Sequence, residues 1–182
     1  MTATSPVAET TFRAALRHYA EGVAVVTATG PGGPLGLTVT SLTPASLDPP
    51  LLSFYVDRAS RTLPVLRDAE RFAVHLLAAD SCELAARFAR RGADRFGPST
   101  RWRAGPGDLP LLEDATVRLI CDRRSVLPVG DHFLIVGEVT DAVIRDGGDP
   151  LLYAHGQFGR WVPLGPGEAG APEELDGSDI DL

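Results

Sequence analysis

Lysine and asparagine are both absent from this 182-residue chain, so all 17 of its basic side chains are arginines. Any anion site must therefore be built from guanidinium forks, hydroxyls or backbone N–H groups, and the planar fork of arginine suits phosphate oxygens. Cysteine is scarce too. Cys82 and Cys121 are single and far apart. They have neither the density of a disulfide scaffold nor the paired spacing of a zinc site, and both are expected to be buried, reduced thiols. No apolar run approaches the roughly 18–20 residues that a membrane span requires. Met1 to Glu9 shows no basic stretch leading into an apolar one, so no secretory signal is visible and the cytoplasm is the expected location.

Basic residues also stop early. Beyond Arg160 come only Glu168, Glu173, Glu174, Asp176, Asp179 and Asp181, which carry most of the formal net charge of -7. Without those six acids, 18 acidic residues face 17 arginines. The part expected to fold is nearly neutral, which argues against a nucleic-acid surface. Residues 165–182 are rich in Gly, Pro and acids and are expected to be a disordered tail; residues 1–8 are expected to be a flexible N-terminus, and 9–164 one domain.

What is present has the rhythm of a β protein. Glu9 to Ala20 reads as an opening helix with Phe12, Ala15, Leu16 and Tyr19 on one face. Val23–Thr29 and Leu35–Leu42 flank the turn-forming Gly30-Pro31-Gly32-Gly33-Pro34 and suggest a hairpin. Asp48-Pro49-Pro50 interrupts, and Leu51–Val56 is a third strand. A short helix is expected over Leu63–Glu70, with Pro64 in its first turn, and a strand over Arg71–Leu77. Asp80 or Ser81 is expected to cap a further helix carrying Leu84 and Phe88 and ending at Arg90, Arg91 and Gly92. Ala115–Cys121, His132–Ile144 and Gly159–Leu164 complete the strands. Locally joined strands without βαβ alternation favour an antiparallel barrel or sandwich.

Three segments carry chemical interest. Arg58-Ala59-Ser60-Arg61-Thr62 sets two guanidiniums and two hydroxyls where a helix begins, a place that attracts phosphate; a capped helix with two solvated arginines is the plainer alternative. Gly36-Leu37-Thr38-Val39-Thr40-Ser41 ends an apolar strand in three hydroxyls, able to pair with a heterocycle or simply to face water. Gly130-Asp131-His132 precedes a strand, and no second ligand stands at metal spacing from it, so no metal is expected. His75, inside a strand, reads as structural. Gly165-Pro166-Gly167-Glu168-Ala169-Gly170 matches the dinucleotide fingerprint letter for letter but lacks a βαβ unit around it.

From about Phe12 to Trp161 these pieces, in order, resemble the flavin reductase-like, FMN-binding split-barrel family, which includes the small reductase partners of two-component flavin monooxygenases. Further matching pieces are Ser46-Leu47-Asp48-Pro49-Pro50-Leu51, Arg71 to Leu77, Phe88-Ala89, Asp94-Arg95-Phe96 and Pro150 to Phe158. The resemblance implies a mainly β, Greek-key split β-barrel with a few short helices, assembled as a homodimer with flavin near the subunit interface. It implies that Thr38, Val39, Thr40 and Ser41 border the flavin ring, that Ser46 and Asp48 shape the adjoining loop, and that Arg58, Ser60, Arg61 and Thr62 hold the phosphate. Phe88 and Arg95 belong to a further cofactor segment. His132, as the catalytic candidate, together with Tyr153 and Phe158, would face the nicotinamide. The implied activity is reduction of FMN or FAD by NADH or NADPH, supplying a partner monooxygenase. The alternatives are an oxidoreductase acting on its own substrate with bound flavin, and a flavin-binding protein without nicotinamide turnover. Family members often carry Asn where this chain has Thr40 and His75.

Overall fold

The computed structural model describes residues 5–145 and 147–164. The expected tail and its fingerprint-like glycines lie outside the described residues. The chain is mainly β, and its largest sheet has seven antiparallel strands. In chain order the elements are α1 (Glu9–Leu16), β1 (Glu21–Gly22), β2 (Ala24–Gly30), β3 (Gly33–Val39), β4 (Thr43–Leu47) and β5 (Pro50–Asp57). These are followed by α2 (Leu63–Asp68), β6 (Arg71–Leu76), α3 (Cys82–Ala89), β7 (Trp102–Ala104) and β8 (Pro110–Leu112). Last come β9 (Val117–Val129), β10 (His132–Ile144), β11 (Leu151–Ala154) and β12 (Gln157–Arg160).

The large sheet runs β3-β2-β6-β9-β10-β5-β4, and two small sheets, β1-β11-β12 and β7-β8, lie outside it. One apolar cluster draws Val26, Val39, Phe54, Val56, Phe72, Cys121 and Ile135 from six different strands, with Leu63 and Leu66 of α2 closing it. Only a sheet rolled upon itself brings those inward faces together. Gly137 of β10 serves that roll: a Cβ there would stand 2.3 Å from the Phe72 ring and 3.0 Å from the Cys121 Cβ. The pairing of β10 with β9 shifts register at Val136/Gly137.

Several elements differ from the sequence expectations. The opening helix stops at Leu16, not Ala20, and none of its residues is buried: Phe12, Leu16 and the following Tyr19 are 53%, 52% and 66% exposed. Its apolar face exists, but none of the described residues covers it. The strand β4 carries Pro44 and has the weak propensity of an edge strand; its register with β5 shifts between Pro44 and Ser46. β9 runs eight residues beyond the expected Cys121 because it is paired along its length with β10, across polar positions that break the hydrophobic alternation. The expected last strand, Gly159–Leu164, is instead a hairpin of β11 and β12 turning at His155 and Gly156, both at positive φ. Ser81 stands at the N-cap of α3, but its hydroxyl turns to Asp80 Oδ1 and the Asp114 carbonyl and caps no N–H. Cys121 is buried and Cys82 half-buried, both unpaired; burial, aided by neighbouring Asp122, pushes the Cys121 thiol up to about 12.

His75 is fully buried on β6. Its Nε2 accepts the Leu112 N–H at 3.1 Å, so Nδ1 carries the proton and donates to the Val25 carbonyl, also at 3.1 Å. The neutral ring thus joins β6, β2 and β8. Burial drives its pKa down to about 4, and the nearby Arg118 acts in the same direction. A proton at Nε2 would eject the Leu112 donor.

The folded state therefore resists protonation that the unfolded chain accepts near 6.5, so this stability is complete above that value and is lost as pH falls towards 4. Denaturant titrations of the wild type are expected to show a loss of about 2–3 kcal/mol between pH 7 and 4.5 from this group. His75→Gln, which keeps a donor and an acceptor but does not titrate, should flatten that part of the profile.

Candidate functional site

The register of the large sheet builds the site. His132, first residue of β10, is paired with Asp57, last residue of β5. There β5 leaves the sheet for the turn into α2. On the other side, α3 lies on β3 because residue 36 has no side chain: a Cβ there would stand 2.8 Å from the Val26 carbonyl and 2.9 Å from the Phe88 ring. Thr38 Oγ1 donates to the Ala85 carbonyl at 2.7 Å and fixes the same contact.

Between these walls opens a cleft of about 870 Å³. It brings together Thr38, Val39, Thr40, Ser41, Ser60, Arg61, Thr62, Phe88, Arg95 and His132. Five other candidates lie outside its lining. Ser46 and Asp48 are on β4 and the turn after it. Arg58 places its guanidinium 5.5 Å over the Phe133 ring, with its backbone N–H on the Asp131 carbonyl. Tyr153 and Phe158 pack edge-to-face on each other, 5.4 Å apart, across the β11–β12 hairpin. His75 is also absent from the lining.

The turn before α2 is tied internally. Asp57 Oδ1 accepts the Ala59 N–H at 2.7 Å, Ser60 N–H reaches the Asp57 carbonyl, and Ser60 Oγ accepts the Thr62 N–H at 3.3 Å. Leu63 N–H is held by the Ser60 carbonyl, and Pro64 has none to offer. The helix-end N–H groups expected to receive an anion are thus largely spent. The grip on an anion passes to side chains: among the described residues, the Arg61 guanidinium and the Thr40 and Thr62 hydroxyls have no partner within the chain.

Charge in the cleft favours anions. Arg61, Arg91 and Arg95 line it against the single carboxylate of Asp57. Arg95 spans the wall, donating from Nη1 to the Gly36 carbonyl at 2.7 Å and from Nη2 to the Arg90 carbonyl at 3.1 Å; its burial lowers its pKa, and its Nε is shielded without a partner. His132 Nδ1 lies 2.6 Å from Asp131 Oδ1. That hydrogen bond, above all, holds the Asp131 carboxyl below its ordinary range. An ionised carboxylate only accepts, so Nδ1 bears the proton and Nε2 is the ring atom left for a ligand.

The volume lies within the roughly 300–1,000 Å³ of small-molecule sites. Half-buried Leu37 offers apolar surface for a flat ring, with Val39, Val56 and Phe88 packed behind the wall, and the free guanidinium and hydroxyls suit a phosphate. A flavin mononucleotide therefore fits the residues present. Sequence reasoning misses Tyr55 and Asp57, which only the β5–β10 register brings here, and Arg91, whose place in the sequence reads as a helix stop.

Comparison with known proteins agrees with this chemistry. The flavin reductase like domain matches residues 16–162. FMN reductase (NADH) SmoA of Agrobacterium fabrum is 43% identical over 150 residues, 82% of this chain and 84% of its own. The reductase component of 4-nitrophenol 4-monooxygenase/4-nitrocatechol 2-monooxygenase from Rhodococcus opacus is 34% identical over 158 residues, covering 87% of this chain and 84% of its own. The crystal structure of a flavin reductase domain protein from Arthrobacter sp. FB24 superposes with a TM-score of 0.83 at 35% identity, covering 88% of this chain and 99% of that one.

Removing the free guanidinium with Arg61→Met is expected to weaken FMN binding roughly tenfold or more. The difference from wild type should shrink as salt is raised. Quenching of flavin fluorescence on titration measures both.

Proposed function

Because the chain belongs to the flavin reductase-like family and is a flavin reductase, we propose that its cleft binds FMN and presents it to NADH, and that the reduced flavin is passed to a partner monooxygenase. The observation that carries this reading is the convergence of Arg61, Ser60, Thr62, Thr40 and His132 on one cleft. Bound there, the flavin supplies the hydride acceptor for a reduced nicotinamide.

The chain's own residues bind and align. Arg61 takes the phosphate with the hydroxyls of Ser60 and Thr62, and the apolar walls take the ring and exclude water. Direct hydride transfer needs no protein nucleophile, so alignment and electrostatic stabilisation are what the protein contributes. His132, held by Asp131, offers Nε2 to the nicotinamide side. The monooxygenase partner is supported by the Rhodococcus opacus relative, which carries that designation. A homodimer is supported by the uncovered apolar face of α1, together with exposed Trp161, Val162 and Leu164. A cytoplasmic enzyme accords with a nicotinamide co-substrate and two unpaired cysteines.

Following NADH absorbance with and without added FMN tests the reading: turnover should saturate in free FMN. NADH oxidation by a purified, flavin-loaded protein that added FMN does not accelerate would favour action on its own substrate, and bound flavin inert to NADH would remove the reductase role. His132→Ala is expected to lower kcat by roughly tenfold to a hundredfold with little change in FMN affinity. Light scattering coupled to gel filtration should give twice the 19.3 kDa chain mass, falling towards one chain when Phe12 and Leu16 are both made Glu.

A further inference from the structure

Arg118, on β9, is the only arginine among the described residues that is buried, at 6% exposed. It is paired with His75 on β6 and with Val143 on β10, so its side chain leaves the sheet on the same face as the His75 ring. The β7–β8 hairpin packs on that face, where Leu109 and Leu111 meet Ala73 and Ile120. Arg103 is paired with Leu111 on the same hairpin. Arg145 lies two residues beyond Val143 and is anchored beside the start of β9. Its backbone N–H donates to the Thr116 carbonyl and its Nη1 to the Glu113 carbonyl, both at 2.8 Å.

Among the described residues the Arg118 side chain makes no hydrogen bond or ion pair. Its Nε and Nη1 are sealed from solvent without a partner, whereas Nη2 is not sealed in this way. A buried cation left unpaired is strongly destabilising. Its neighbours add to the cost: burial first, then the like charges of Arg145 and Arg103, lower its pKa against the smaller pulls of Glu113 and Asp141. The nearby acceptors are engaged or stand off. His75 Nε2 already accepts the Leu112 N–H, and the Glu113 carboxylate meets Arg101 at 3.3 Å. Asp141 shares the face, opposite Ile120 on β9, but forms no ion pair among the described residues. A guanidinium charge is delocalised over all three nitrogens, so an anion reaching Nη2 relieves the whole group. Three forks from three elements call for oxygens pointing in several directions, which a tetrahedral oxyanion has and a single carboxylate lacks.

We propose that Arg118, Arg103 and Arg145 form a binding site for an inorganic oxyanion of the phosphate class, beside the β7–β8 hairpin and separate from the main cleft. None of the three lines that cleft, so the inference stands apart from the flavin reductase reading. The bound anion joins β7, β9 and the end of β10, and so fastens the hairpin to the sheet.

Thermal unfolding of the full-length protein in phosphate and in chloride, at equal pH and ionic strength, tests this. A ligand that binds only the folded state raises Tm, here by roughly 3–6 °C when phosphate stands at about ten times its Kd. Phosphate also strengthens apolar burial without binding, and it can enter the main cleft at Arg61; variants separate these effects. Arg118→Met keeps the apolar stem and removes the unpaired charge, so it should fold at least as well in chloride and lose the gain specific to phosphate. Arg103→Gln, an exposed substitution, should lose most of that gain and decides the matter if Arg118→Met does not fold. Arg61→Met should keep the gain, and Asp141→Asn, which removes a repelling carboxylate, should enlarge it. The proposal is overturned if phosphate gives the wild type no gain over chloride, if Arg118→Met and Arg103→Gln keep the full gain, or if Arg61→Met alone abolishes it. A loss of Tm in Asp141→Asn without any phosphate response in the wild type would identify Asp141 as the counter-ion instead.

Discussion

The contact between α3 and β3 depends on a missing side chain. Gly36 lets the Phe88 ring and the strand backbone approach closely, and Arg95 then reaches across to the Gly36 carbonyl. With that contact in place, the loop after α3 stands as a wall facing the turn before α2, and the space between them becomes a cleft. If α3 stood off by the width of a methyl group, the Arg95 fork could not span Gly36 and Arg90 together. The cleft is thus a by-product of how tightly a helix can lie on a strand.

Within that frame the charges are distributed by role. Arg95 is half-buried and gives both terminal nitrogens to carbonyls, so it organises backbone. Arg61 and Arg91 are exposed and uncommitted, so they can meet a ligand. Arg58, only three residues before Arg61, spends its cation on the face of Phe133. A chain without lysine uses one side-chain type for all three tasks, and the geometry of each fork decides which task it has.

The legible part of the fold was the part with local signals. The β2–β3 hairpin is marked by its glycine and proline turn, and β5, β6 and β10 by β-branched and aromatic runs. β4 carries a proline, β7 and β8 are three residues each, and β11–β12 is a tight hairpin of mixed residues. Such elements are defined by partners distant in sequence, so no window of residues announces them. The site divided in the same way. The arginine and hydroxyl turn was visible because its residue types are unusual together. Which of its arginines faces the cleft was not, because that depends on where β10 puts Phe133. Tyr55 and Asp57 became site residues only through their register with β10.

The turn that sets this register joins two strands of thirteen residues through Gly130, at φ +58°, and Asp131. Side chains on a strand alternate between faces, so a one-residue slip in β10 would reverse all of them. An odd-numbered insertion between His132 and the buried Ile135 would turn the His132 imidazole out of the cleft unless a bulge absorbed it, whereas an even-numbered one would keep its facing. Length variation at the start of β10 is therefore filtered by parity, whereas the turn at Gly130 and Asp131 can lengthen without changing which way His132 faces.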